Sequence, residues 1–227
     1  MKLTIVYDNI VYKKNIGLQS DWGFACVIES DGETVLFDTG GNGNILLKNM
    51  KILNISPANI KKIVISHEHE DHKGGLRTLV PYTKEVEVYK LEDEILRYNM
   101  KSIVPEIPEK ITKNIWTTGR IKGIVDEQSL VIKADEGWYV LTGCSHPGVE
   151  NILDIANQIG NIIGIIGGFH GFNKFEVIED LEFICPCHCT VHKEDLVKAF
   201  PDKISNCGVG KTIEFEKKNK LKSPSLC

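Results

Sequence analysis

Short apolar runs alternate with polar breaks along most of this chain. Runs rich in Ile, Val, Phe and Tyr, bounded by Gly, Asp or Asn, predict strands at Leu3–Tyr7, Phe24–Glu29, Thr34–Phe37, Ile63–Ile65, Glu85–Tyr89, Leu130–Ala134, Tyr139–Thr142, Ile162–Ile166, Phe183–Ile184 and Thr212–Phe215. Asp31-Gly32, between the second and third runs, is a hairpin signal. Helical spacing is found later: Ile152, Ile155, Ala156 and Ile159 mark one buried face, and Leu196, Val197 and Phe200 a shorter one. Ser56-Pro57 reads as an N-cap followed by proline at the first helical position. The stretch Lys90–Arg120, with Pro105 and Pro108, shows neither period and reads as irregular, either an insertion over a site or a connecting segment. A β-rich start followed by β–α alternation predicts sheets covered by helices.

Composition narrows the class. The 227 residues carry 27 Lys+Arg against 31 Asp+Glu, a net charge of −4, with 42% apolar and 26% charged residues. That is a globular balance, and its acidic sign argues against an electrostatic grip on nucleic acid. The longest apolar stretch, Ile162 to Phe169, is too short to cross a membrane, and Asp8 interrupts the N-terminal apolar run that a secretion signal would continue. The expectation is a cytoplasmic protein with one domain over residues 1–216, followed by a basic, frayed tail at 217–227. Nothing in the sequence fixes the oligomeric state. The odd count of seven Cys points to free thiols or metal ligands rather than a disulfide framework.

The histidines are concentrated where predicted strands end: His67, His69 and His72, then His146, His170 and His188. In an extended segment i and i+2 share a face, so His67 and His69 can reach one ion. Asp71 and His72 follow the turn and can face a second. Imidazole and carboxylate suit Zn, Fe or Mn. The helical HExxH zinc motif is excluded, because residue 71 is Asp.

These residues resemble the metallo-β-lactamase superfamily, whose signature His-x-His-x-Asp-His stands here as His67, His69, Asp71 and His72. Phe37-Asp38-Thr39-Gly40, Thr142-Gly143-Cys144-Ser145-His146 and Cys187-His188 are similar to its further motifs. The resemblance implies an α/β fold, an αββα sandwich of two face-packed mixed β-sheets with outer helices. It implies two divalent ions, most simply Zn, with His67, His69 and His146 on the first and Asp71, His72 and His188 on the second. Asp38 would support the metal loop through hydrogen bonds. Three phrases, Thr142–Gly148, Gly167–His170 and Pro186–Thr190, are similar to a branch grouped around a pterin–aryl-amine ribose phosphate synthase of methanopterin synthesis and to metal-dependent hydrolases.

One position departs from the pattern. Where the superfamily carries a bridging Asp, this chain reads Gly167-Gly168-Phe169-His170, and no carboxylate follows before Glu176. His170 therefore either binds one metal or faces the substrate; with Asp71 it is a catalytic candidate. Two divalent ions offset only by Asp71 and a hydroxide leave a residual charge of about +2, which favours a small anionic substrate such as a phosphate. Three functions follow as expectations: a hydrolase that activates water against such a substrate, a synthase that releases pyrophosphate, or a metal- or redox-linked binding protein without turnover. Cys185-Pro186-Cys187-His188-Cys189 lacks the second pair of a structural zinc site, so its thiols read as packing groups, and Cys144 reads as a small buried residue with a soft-ligand role as the alternative. Gly208-Val-Gly-Lys-Thr212 imitates the end of a P-loop but has Ser205 where glycine is needed.

Overall fold

A computed structural model describes residues 1–93 and 100–215. The basic tail expected at 217–227 lies outside them. The first sheet is built from β1 (Lys2–Tyr7), β2 (Ala25–Ser30), β3 (Glu33–Phe37), β4 (Ile60–Val64), β5 (Val86–Tyr89) and β6 (Met100–Ile103). The second contains β7 (Glu109–Thr112), β8 (Ile115–Thr117), β9 (Leu130–Lys133), β10 (Trp138–Thr142), β11 (Ile162–Gly168) and β12 (Phe183–Cys187). A last strand, β13 (Thr212–Glu214), returns to the first sheet and pairs antiparallel with β1. Both sheets are mixed. Strands β3 to β6 run parallel in the first, and β10 to β12 run parallel in the second.

Burial explains the layering. Side chains alternate across each strand, so the inward set of both sheets forms one core, with Phe24, Phe37, Val64, Leu130, Leu141 and Ile166 among it. The outer face of the first sheet buries Val27, Leu36 and Ile63 against α1 (Gly43–Ile52) and, beyond the short α2 (Glu70–Lys73), α3 (Leu76–Leu79). The outer face of the second buries Val131, Val140 and Ile165 against α4 (Val149–Ile159) and α5 (Lys193–Ala199). The result is the expected αββα sandwich. No helix among the described residues is long and apolar enough to cross a membrane.

Several expectations hold at the level of single residues. Asp31 and Gly32 both have positive φ, 51° and 80°, as a two-residue hairpin turn between right-twisted strands requires. On α4, Ile152 and Ala156 are buried, Ile155 and Ile159 half-buried, and Val149 and Leu153 complete the stripe.

Others are corrected. The stretch 90–120 is not irregular: β6, β7 and β8 lie within it. All three are short; β6 and β7 carry Lys or Glu at exposed positions, which erases the apolar alternation that strands usually show, and β8 is only Ile-Trp-Thr, too short to show it. Ser56-Pro57 opens a single 3₁₀ turn, Pro57–Asn59, and the Ser56 side chain caps nothing. Val197 is 45% exposed, leaving Leu196 as the buried anchor of α5. Helix α1 has no apolar stripe strong enough to announce it, because its buried face includes Asn49, whose Nδ2 donates to the carbonyls of Val6 and Gln19.

Candidate metal centre

Every expected site residue sits just past the C-terminal end of a strand, along one edge of the sandwich. Asp38 follows β3, His67 to His72 follow β4, His146 follows β10, His170 follows β11 and His188 follows β12. Residues at such ends are held by a rigid frame yet freed from the ladder. His67, His69 and His146 form one group: the rings of His67 and His69 lie 4.6 Å apart, His67 and His146 4.8 Å, and His69 and His146 4.9 Å. The second group brings Asp71 Oδ2 to 3.2 Å from His188 Nε2 and 3.7 Å from His72 Nε2. His67, His72 and His188 are buried, whereas His69 is exposed and opens the centre to solvent.

Hydrogen bonds fix which nitrogen of each ring faces inward. Ser66 donates its hydroxyl to Asp38 Oδ2 at 2.8 Å, so its oxygen is left to accept from His67 Nδ1 at 2.9 Å. His72 Nδ1 donates to the same Asp38 oxygen at 2.7 Å. Asn9 Oδ1 accepts from His188 Nδ1 at 2.9 Å. Each Nδ1 is thereby the protonated nitrogen, and the Nε2 lone pairs of His67, His72 and His188 point at the centre. Asp38 also takes the Ser66 N–H on Oδ1 at 2.7 Å, in keeping with the supporting role expected of it.

This arrangement fits metal ions. Among the described residues, His146 Nε2 is buried without a hydrogen-bond partner, and the nearest carboxylate to the buried His188 Nε2 is that of Asp71 at 3.2 Å. His67 Nε2 stands 3.1 Å from His69 Nδ1, bringing two ring nitrogens to one point. Leaving buried nitrogens unpaired is unfavourable in a metal-free protein and is the natural geometry of a ligand set.

Electrostatics agree. Burial, reinforced by the neighbouring His72, His146 and His69, pushes the His67 pKa far down. Burial with His69 and His170 lowers His146 to about 4, and burial lowers His188. Burial would raise the Asp71 carboxyl, but its hydrogen bond to His188 and the charge of His72 hold it well below the carboxylate range. For His72, burial is outweighed by Asp38, so its pKa is raised and a proton competes for its Nε2 when no ion is bound. The His146 shift predicts the acid behaviour of the chelator-stripped chain. The unfolded imidazole takes up a proton near its ordinary 6.5 while the folded one refuses it down to about 4, so stability is lost as pH falls through that window. Thermal melts of stripped protein between pH 7 and pH 4 check this; an unchanged or rising Tm would contradict it.

Two further residues complete the centre: Glu127, which carries no motif, and Cys144, read from sequence as a small buried residue with a soft-ligand alternative. Glu127, wholly buried, accepts on Oε1 from the amides of Gly143, Cys144 and Ser145 and from the Thr142 hydroxyl, all between 3.0 and 3.1 Å. Its Oε2 accepts the His146 amide at 2.9 Å. This single carboxylate sets the loop that carries His146. Cys144, on that loop, places its thiol between the two groups, with Sγ 3.2 Å from His72 Nε2. A close approach fixes Asp71 in turn. A Cβ on Gly23, whose φ is 138°, would sit 2.4 Å from the Asp71 carbonyl oxygen.

His170 stands beside His146. It is exposed, has a positive φ of 44°, and lies 5.1 Å ring to ring from His146 on the wall of a cavity of about 530 Å³. Its neighbours there include His69, Phe169, Phe172 and Ile124. The expectation of free thiols is corrected at one pair. Alternation along β12 turns Cys187 away from the site into the inter-sheet core, where the segment before β13 brings Cys207 to a Cα distance of 5.3 Å, and the two form a disulfide. Cys26, Cys144, Cys185 and Cys189 are free. Lys211 of the false P-loop lies over the ring of Tyr12 on the way into β13.

Comparison with known proteins bears on the family and the fold. The chain is 24% identical over 280 aligned positions, spanning 93% of it and 95% of the relative, to the 7,8-dihydropterin-6-methyl-4-(β-D-ribofuranosyl)-aminobenzene-5′-phosphate synthase of Methanocaldococcus jannaschii. Its fold matches the crystal structure of a metal-dependent hydrolase of the β-lactamase superfamily with a TM-score of 0.74 and 29% identity, covering 94% of this chain and 98% of that one. It also shares the fold of zinc-bound PqqB from Methylobacterium extorquens (TM-score 0.62, 12% identity, 94% and 100% covered). The profile of the Metallo-beta-lactamase superfamily matches residues 23–149, more than half of the sequence, and the chain belongs to that superfamily.

Proposed function

We propose that this protein is a metal-dependent hydrolase with a dinuclear centre acting on a small anionic, phosphate-containing substrate. The observation that carries the reading is the inward aim of the imidazole nitrogens in two adjoining groups, with the outer nitrogens of His67, His72 and His188 each held by a partner. His67, His69 and His146 would hold one ion; Asp71, His72 and His188 would hold the other. Two divalent ions there, zinc by ligand type with iron or manganese also accommodated, would draw in an anion and make a water acidic enough to attack near neutral pH.

The chain's own residues do the rest. Asp38 and Asn9 hold the tautomers that keep each Nε2 bare. Glu127 holds His146 in register with the other group. His170 stands at the mouth of the cavity beside His146, placed to donate a hydrogen bond to a substrate oxygen. Phe169, Phe172 and Ile124 give that cavity apolar walls suited to the body of an organic phosphate.

Elemental analysis of protein purified without chelators or oxygen tests the centre: about two ions per chain in the wild type, falling to about one in His188→Ala. One ion or none in the wild type, unchanged in the variant, would defeat the dinuclear reading. Turnover on a panel of phosphate esters, phosphodiesters and lactones, lost in His67→Ala, would establish hydrolysis. A second reading has a specific support, the full-length similarity to the M. jannaschii synthase. Release of pyrophosphate from a pterin pyrophosphate only when an aryl-amine phosphate is supplied would establish it instead.

A further inference from the structure

We propose that Cys144 is a thiolate ligand shared by the two metal ions, standing where this chain lacks a bridging carboxylate. The proposal rests on the dinuclear reading above. The ligand atoms of His67, Cys144 and His146 lie within 4.8 Å of one another, and so do those of His72, Cys144 and His188. Cys144 is thus common to both sets.

Spacing and chemistry fit this role. Metal–sulfur bonds of about 2.3 Å and metal–nitrogen bonds of about 2.0 Å separate two ligand atoms on one tetrahedral ion by somewhat under 4 Å, so both sets close on an ion with small side-chain shifts. A thiolate has lone pairs enough for two ions. An imidazole whose outer nitrogen points away has one, so His170 could not bridge. The thiol is only 3% exposed and its backbone is fixed from two directions. Glu127 holds the amides from Gly143 to His146. Gly168 donates to the Gly143 carbonyl at 3.0 Å, and Ser145 returns its hydroxyl to Gly168 at 2.8 Å. A side chain held this firmly between two ligand sets is built for a position, and packing alone would not need it.

Binding balances simply: the thiol loses its proton to solvent as the two metal–sulfur bonds form. The resulting negative charge adds to that of Asp71 and partly offsets the two dications.

Cobalt makes the sulfur visible. Chelator-stripped wild type, loaded with two equivalents of Co²⁺ without oxygen, is expected to show an ultraviolet thiolate-to-cobalt charge-transfer band besides the visible cobalt bands. Its cobalt paramagnetic resonance should be attenuated by coupling through the shared sulfur. In Cys144→Ser the charge-transfer band is lost while visible cobalt bands remain, and Cys189→Ser, whose thiol packs on the Cys144 carbonyl, keeps it. Two bound cobalt ions without a charge-transfer band in the wild type overturn the proposal with no variant needed. A band that survives in Cys144→Ser, or is lost only in Cys189→Ser, overturns it too. A band with uncoupled resonance makes the sulfur a ligand of one ion and ends the bridge. Failure of the wild type to take up a second cobalt would strike the dinuclear reading itself, a separate and distinguishable result.

Discussion

Replacing Glu127 by alanine is expected to destabilise the protein by about 3–5 kcal/mol, the range for removing one partner from a buried charged network. Four backbone amides and one hydroxyl lose their acceptor at once, in a place water does not reach. Each unmade buried hydrogen bond costs about 1–3 kcal/mol, and partial relaxation of the loop keeps the total below the sum. Set against a typical domain stability of about 5–15 kcal/mol, this leaves a marginal fold. Glu127→Gln keeps the shape but turns an NH₂ group towards amide donors, so an intermediate loss is expected. Urea unfolding midpoints check both variants. A loss under about 1 kcal/mol in the alanine variant would mean that the loop is held by other contacts.

The second large effect is on the centre rather than the fold. Asp38→Asn should weaken divalent-ion affinity by about 10–100-fold, the usual consequence of losing the partner that orients a metal-binding histidine. Asp38 accepts three donors on two oxygens, and an amide offers one oxygen for them. With NH₂ facing His72, the imidazole must present its other tautomer, which puts a proton on the nitrogen that should face the ion. Competition with a chromophoric chelator measures the affinity. An unchanged value would show that His72 reaches its ligand geometry without Asp38.

The sequence made the candidate ligands and their support Asp38 legible and left Glu127 hidden, for a physical reason. His67, His69, Asp71 and His72 are close in sequence, so the spacing of one extended segment and the turn after it was enough to read them. Glu127 sits in Val125-Asp126-Glu127-Gln128, which has the look of a solvated turn, and the groups it holds lie 15 to 19 residues further on. Cys144 could be read as a soft-ligand alternative from its place before His146, but only the docking of the two sheets brings it within reach of both histidine sets. Cys207 likewise reaches Cys187 through the return of β13, and spacing within 185–189 could not foresee that partner. The edge strands β6 and β7 carry charged residues at exposed positions, a protective habit of sheet edges that also disguises them, and β8, inside the second sheet, is only three residues long.

Glu127 and Gln128 are neighbours with opposite allegiances. Gln128 donates from its backbone to Ser66 and from its side chain to Ile65 and Tyr89, on the first sheet, while Glu127 holds the loop after β10 on the second. Slow amide exchange follows from this. The amides of Gly143 to His146 belong to no helix or strand, and an isolated loop of that kind would exchange by local fraying. Here they are released only when the carboxylate withdraws, which requires the segment joining both sheets to come away. Their exchange should therefore follow global unfolding, with protection comparable to that of the central strands.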